Sequence, residues 1–347
     1  MEWEEVWVEE WEEAWVVVWV EAWVEEAEVV DTGEDGEFRY VYGPVPSRRL
    51  GRSLGVSPIP FKTCNYSCIY CQLGKTSNLT NERKEYFPLS GILEEFEEMV
   101  KRIGGNFDTV TIVGEGEPLL YSRIGDLVEG IKRIIDTRLA VITNGSLLYR
   151  SDLQEELSNV DVVLPSLDAW DERSFRFINR PVRDLSFNVV LEGMVSFRGR
   201  FKNQIWLEVM LMDGVNDTPE NLRKLRSSID RIKPDEVFIN VPIRPPAEPW
   251  VRIPKDEKIS LAERILSGKS MAYIPEGEFH AGSKDVVKSV ISLIKRHPMR
   301  ECELKKYLMD RLKNEDDVEE VFKTILSDPK LEMVEGEKGR FLRMRTK

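Results

Sequence analysis

The chain has 347 residues, 41% of them hydrophobic and 32% charged, which suits one large α/β domain with a small appendage. Its four cysteines are too few for a disulfide scaffold. The net charge of −13 belongs to one end: residues 1–37 hold fifteen of the 62 acids and none of the 49 bases, so the rest carries 47 acids against 49 bases, or +2. That balance neither excludes nor announces a nucleic-acid partner.

Residues 1–37 are an acidic low-complexity leader of Glu, Val, Trp and Ala. Trp3, Trp7, Trp11, Trp15, Trp19 and Trp23 recur every four residues. On a helix that period drifts by about 40° per step; on a strand it keeps one face. The longest apolar run, 14–20, is far shorter than the roughly 20 residues a bilayer requires. No basic segment precedes it, so it is not a secretory signal. An acidic helix that docks on a partner, a poorly ordered tail and an artefact of start-site choice are the three readings, and the composition favours the last two. No membrane contact is expected, and the chain reads as cytoplasmic.

The body divides into 38–296 and 297–347. Residues 38–63, rich in Gly, Pro and Arg, read as strand and loop. Strands are expected at 53–58, 109–113, 139–143, 161–166, 205–211 and 236–241, and helices at 91–103, 124–135, 151–157, 185–197 and 219–232. This alternation implies a parallel sheet with helices outside, open or closed into a partial barrel. Residues 255–296 add one or two covering helices around a short strand at 271–274. Helices at 302–312 and 317–326, then two strands within 331–345, give a winged-helix-like outline. Such modules bind nucleic acid or proteins, or merely pack.

Chemistry concentrates in Cys64-Asn-Tyr-Ser-Cys68-Ile-Tyr-Cys71. The spacing could place three thiols on one helix face, but Pro58, Pro60, Asn65 and Ser67 make a poor helix start. A zinc site wants four N or S ligands, and the other candidates, Cys302, His280 and His297, are more than 200 residues away. Three thiolates can instead hold three irons of a cubane, leaving the fourth open to a small molecule. Polar residues follow the expected strands in turn: Gly114-Glu115-Gly116-Glu117-Pro118, then Asn144, Ser166 with Asp168, Glu208 and Asn240. In a parallel barrel, active groups gather at such strand ends. Arg48, Arg49 and Arg52 suit a carboxylate or phosphate, or a solvated basic loop. Lys62 suits a substrate amine or a counter-charge to the cluster. Asn179-Arg180-Pro181 is placed to close the mouth.

The C-x3-C-x2-C spacing, with aromatic Tyr70 before the third cysteine, resembles the radical S-adenosylmethionine (SAM) superfamily, over about residues 40–296. The resemblance implies an α/β fold, a partial (β/α)6 TIM-like barrel, with a [4Fe-4S] cluster on Cys64, Cys68 and Cys71. It implies that S-adenosyl-L-methionine chelates the open iron and is cleaved to methionine and a 5′-deoxyadenosyl radical that abstracts hydrogen. Gly114, Gly116, Glu117 and Pro118 map onto the motif that grips the methionyl amino group, with Glu117 the leading position. Tyr70, Asn144, Ser166 and Asp168 are further cofactor candidates; Lys62, Glu208 and Asn240 are candidates for catalysis. A one-electron reductant such as ferredoxin or flavodoxin is implied.

Residues 43–51, 114–121 and 166–169 are similar to a prokaryotic branch grouped with the wyosine base (tRNA-imidazoG37) synthases. The archaeal wyosine enzymes carry a second cluster on additional cysteines, and here only Cys302 is left. The radical chemistry is therefore carried over and the wyosine substrate is not. The substrate stays unassigned, with tRNA a candidate. The alternatives are a metal-stabilised nucleic-acid-binding protein without radical chemistry, and a peptide- or protein-modifying radical maturase whose client is read by 297–347.

Overall fold

The computed structural model describes residues 38–272 and 286–345; the leader readings, residues 273–274 of the strand expected at 271–274, and His280 lie outside them. The chain begins with an antiparallel pair, β1 (Val41–Ser47) and β2 (Gly51–Val56). β3 (Thr63–Cys64) and β4 (Asn78–Leu79) pair in parallel and close the cysteine loop. Then follow α1 (Leu89–Ile103), β5 (Thr109–Ile112), α2 (Ile124–Ile134), β6 (Arg138–Thr143), α3 (Ser151–Glu156) and β7 (Val162–Pro165). The alternation continues with α4 (Glu172–Ile178), α5 (Phe187–Arg200), β8 (Gln204–Met210), α6 (Pro219–Ile232), β9 (Glu236–Asn240), α7 (Asp256–Leu266) and β10 (Lys269–Ser270).

One sheet in the order β1-β2-β5-β6-β7-β8-β9-β10 results, parallel throughout except for β1. Its central strands are short apolar runs, and every residue of β5 and β7 is buried, as befits strands covered on both faces. β1 carries Pro44 and Pro46, which lack an N–H and are tolerated at a sheet edge. The helices start where the side chains dictate. Thr218 caps α6 with Pro219 at its first position, and Ser186 caps α5.

The fold is thus the expected α/β architecture with a mostly parallel sheet, and it contains an element the sequence reading left out. α4 has only 7 residues, too short for a clear apolar period, yet Asp171 and Ser174 form a reciprocal capping box at its start. The strand expected at 271–274 pairs earlier, as Lys269 and Ser270 against Phe238 and Ile239.

The remaining elements are α8 (Val286–Arg296), β11 (Met299–Arg300), α9 (Glu301–Leu312), α10 (Glu315–Leu326), β12 (Leu331–Gly336) and β13 (Gly339–Met344). The three strands form a second sheet, β11-β13-β12. Val290, Leu293 and Ile294 of α8 share an apolar cluster with Leu304, Leu308, Phe322 and Leu342, and Val45 of β1 packs against it.

A carboxylate fixes the start of the body. Glu95 of α1 accepts from the backbone N–H groups of Arg39 (2.8 Å), Tyr40 (2.5 Å) and Val41 (2.6 Å). Removing it leaves three amides without their acceptor. Glu95→Ala is expected to destabilise the protein by about 2–3 kcal/mol, since each lost hydrogen bond costs roughly 1 kcal/mol. Urea unfolding against the parent measures this, and an unchanged midpoint would show that water replaces the carboxylate.

Candidate active site at the strand ends

The cysteine loop needs partners for its irregular backbone, and it finds them after α4. Ser67 N–H donates to the Asn179 carbonyl (3.0 Å) and Ile69 N–H to that of Ile178 (3.0 Å), while Tyr66 and Pro181 form an isolated bridge. Residues 179–181 therefore back the loop instead of closing the mouth. Cys64, Cys68 and Cys71 are free and partly exposed. Donors aim at each sulfur. Tyr66 N–H lies 3.4 Å and Asn144 Nδ2 3.7 Å from Cys64 Sγ, and Asn179 Nδ2 lies 3.6 Å from Cys68 Sγ. The Leu73 and Gly74 amides serve Cys71. Desolvation nevertheless pushes all three thiols up.

The residues before the loop are joined to those after β5. Lys62 N–H donates to the Glu115 carbonyl (2.6 Å), and Glu117 N–H to the Thr63 carbonyl (3.0 Å). Lys62 adopts a left-handed φ of 58°, a costly conformation for a side-chain-bearing residue. Gly116 is required here by packing: a Cβ would stand 1.8 Å from the Thr63 carbonyl oxygen. The same turn buries Glu117, which accepts from Thr143 Oγ1 (2.6 Å), Asn144 N–H (2.7 Å) and Leu119 N–H (3.0 Å). Burial raises its carboxyl to about 7, with those three donors opposing the shift. Glu115 faces Arg296 of α8 at 3.4 Å, both nearly sealed from solvent. Arg296 also lies 4.7 Å over the Tyr42 ring and donates to the Arg39 carbonyl (2.7 Å).

These groups line a cavity of about 360 Å³ at the C-terminal ends of successive parallel strands. Of the residues singled out in the sequence, Lys62, Cys64, Cys68, Tyr70, Cys71, Gly114, Gly116, Glu117, Asn144, Ser166, Glu208 and Asn240 all contribute to its wall. Pro118 does not: it opens a buried 3-10 turn, Pro118–Leu120. Asp168 stands behind the wall, accepting from the Tyr70 hydroxyl (2.5 Å), Asn179 Nδ2 (3.0 Å) and Met210 N–H (2.8 Å).

Two of the three arginines reach the cavity. Arg49 pairs with Glu208, Arg48 Nη2 donates to Asn240 Oδ1 (2.8 Å), and Asn240 Nδ2 donates to Glu208 Oε1 (3.2 Å). Arg52 instead pairs with Asp108 at the surface, where Gly51 and the start of β2 approach that carboxylate. Arg244 escaped the sequence reading, His297 entered it only as a distant zinc candidate, and Asn65 only as a poor helix former; the structure sets Arg244 and His297 in the cavity wall. Asn65 is buried and ties Asn144 (2.7 Å), Asn81 (3.0 Å) and Ser146 (2.7 Å) together under the loop. Only its place inside the cysteine motif hinted at this.

The zinc alternative finds no support in the donor geometry. Among the described residues no three His, Cys, Asp or Glu side chains gather around a point that one ion could occupy. Cys302 is exposed, and His297 is partly buried beside Tyr42. Cys64, Cys68 and Cys71 line one cavity, and a cluster that takes one thiolate per iron asks for three sulfurs and not a complete four-ligand set.

A sequence model of the Radical SAM superfamily matches residues 59–225. The UPF0026 protein MJ1312 of Methanocaldococcus jannaschii is 37% identical over 274 residues, 77% of this chain and 85% of that protein. The chain belongs to the UPF0026 family within the radical SAM superfamily. Among solved structures, a radical SAM methyltransferase from Sphaerobacter thermophilus aligns at 18% identity and a TM-score of 0.49, over 65% of this chain and 67% of that one. TYW1 with a lysine–pyruvate adduct bound aligns at 15% identity and 0.43, over 84% and 80%. The relatives thus give the superfamily and not specifically its wyosine branch. This radical SAM enzyme uses a [4Fe-4S] cluster and SAM. No helix among the described residues is long and apolar enough to cross a membrane.

Gly116→Ala is expected to push the cysteine loop off the end of β5. Iron and sulfide bound after anaerobic loading should fall well below the parent, with an unchanged far-UV spectrum; full loading would show that the loop tolerates the shift. His297 supplies a pH test. Burial first, then Arg244 and Arg296, lowers its imidazole from 6.5 to about 3. The folded state favours the neutral ring, so this contribution to stability is present above about 6.5 and is lost as pH falls toward about 3. Unfolding free energy measured across that window should fall less steeply in His297→Leu than in the parent. Parallel curves would remove His297 from the acid response.

Proposed function

We propose that Cys64, Cys68 and Cys71 hold the cluster and leave one iron for SAM, on the rim of a partial (β/α)6 barrel built from β2 and β5–β9. The reading rests on one observation: three free thiols share a cavity wall at the parallel strand ends, each with N–H donors suited to an anionic sulfur cluster. A bound cluster would supply the one-electron reduction that splits SAM into methionine and a 5′-deoxyadenosyl radical able to take a hydrogen atom from the substrate.

The chain's own residues do the positioning. Glu117 accepts the methionyl ammonium, an opposite charge that draws its proton off. Asn144 bridges the Glu117 carboxylate and Cys64, setting the spacing between cofactor and cluster. The Tyr70 ring walls the adenosyl side, and Asp168 acts through it by holding its hydroxyl. Ser166 is left for a ribose hydroxyl. Glu208 and Asn240, braced by Arg49 and Arg48, face the substrate. Ferredoxin or flavodoxin supplies the electron. Residues 297–347 form a winged-helix-like unit that helps present the substrate, which enters beneath its hairpin.

Anaerobic loading with iron and sulfide, then dithionite and SAM, should yield 5′-deoxyadenosine. Cys64→Ala, Cys68→Ala or Cys71→Ala should reduce it to background, and Glu117→Gln should raise the SAM concentration needed by roughly ten- to hundredfold, the worth of a charged hydrogen bond. A loaded parent protein that makes none would overturn the proposal.

A further inference from the structure

Outside the cysteine cavity lies a larger cleft of about 720 Å³. Its walls are the proline-rich run 242–252 and the β12–β13 hairpin. The two spaces share Lys62, Gly74, Pro242, Ile243 and Arg244, which form a neck between them.

Positive charge is concentrated at that neck. Arg244 donates to the Pro298 carbonyl (3.1 Å) and to Gln72 Oε1 (3.3 Å), both neutral. Among the described residues neither Lys62 nor Arg244 has a carboxylate at ion-pair distance. The other cations of the cleft are matched: Arg252 by Glu337, Arg343 by Glu332 and Lys75 by Glu248.

An independent feature sits on the rim. Trp250, between Pro249 and Val251 of the cleft wall, is 45% exposed and stacks on Phe177, which is 51% exposed. Their centroids are 5.7 Å apart at 28°. Leaving two large rings in water forgoes burial energy, and together they offer a flat apolar face.

We propose that the outer cleft binds single-stranded nucleic acid, with a backbone phosphate at Lys62 and Arg244 and a base on the Trp250–Phe177 stack. One nucleotide is then presented through the neck to the cysteine cavity. Guanidinium and ammonium groups with no carboxylate at ion-pair distance, Glu303 acting on Arg244 only from farther off, suit phosphate, and every base has a face that stacks. A generic peptide backbone carries neither a regular charge nor flat rings. What happens past the neck rests on the radical reading above; binding in the cleft does not.

The test uses the full chain, loaded anaerobically, and a short fluorescein-labelled single-stranded RNA read by anisotropy. Saturable binding that weakens with salt is expected, with a duplex of the same sequence bound more weakly. Trp250→Ala should weaken it roughly fivefold or more, and Lys62→Ala should reduce the salt slope by about one. Both positions are at least partly exposed, and circular dichroism confirms that the variants fold. No saturable binding, indifference to both variants, or equal displacement by an acidic peptide would overturn the proposal. 5′-Deoxyadenosine is measured on the same samples without RNA. A parent protein that cleaves SAM but binds no RNA sinks only the cleft. RNA binding that depends on Trp250 in a protein unable to cleave SAM supports the cleft and sinks the radical reading.

Discussion

Two backbone hydrogen bonds and one missing side chain hold the site together. The Lys62–Glu115 and Glu117–Thr63 bonds sew the strand leading into the cysteine loop onto the turn that leaves β5, and Gly116 lets the two backbones touch. From this seam the rest follows. The loop projects over the strand ends, the Glu117 carboxylate points toward β6, and Asn144 reaches both that carboxylate and Cys64. The chemistry comes from bringing two main chains together.

Charge inside the sheet is used with restraint. Burying an ion pair seldom adds stability, because desolvation offsets attraction, but removing one partner is costly. Arg49 with Glu208 and Arg296 with Glu115 are such pairs. The first fixes a carboxylate on the β8 wall. The second reaches from α8 into the Gly114–Pro118 turn, so a helix far along the chain steadies the β5 side of the cavity.

The sequence showed much of this because the period and the motif are local signals. Buried runs such as Thr109–Ile112 announce covered parallel strands, and the cysteine spacing with Tyr70 announces the superfamily. Polar residues just past those strands could be assigned to one rim from topology alone. What stayed hidden depends on side chains meeting across long separations. Asp168, a cofactor candidate from its place after β7, holds the Tyr70 hydroxyl behind the wall, because nothing in Pro-Ser-Leu-Asp-Ala says which way the carboxylate turns. Arg48 and Arg52 look equivalent in sequence, yet one enters the cavity and the other pairs at the surface. Arg244 and His297 join the wall only because residues 240–244 and His297 itself return to it.

β1 ends the sheet as an antiparallel strand with two prolines, and α8 packs across it while Val45 enters the second apolar cluster. A bare outer strand invites another molecule to extend the sheet, and with it polymerisation. Here the prolines withhold donors and the following helix shields the margin, so the C-terminal segment doubles as a guard against self-assembly.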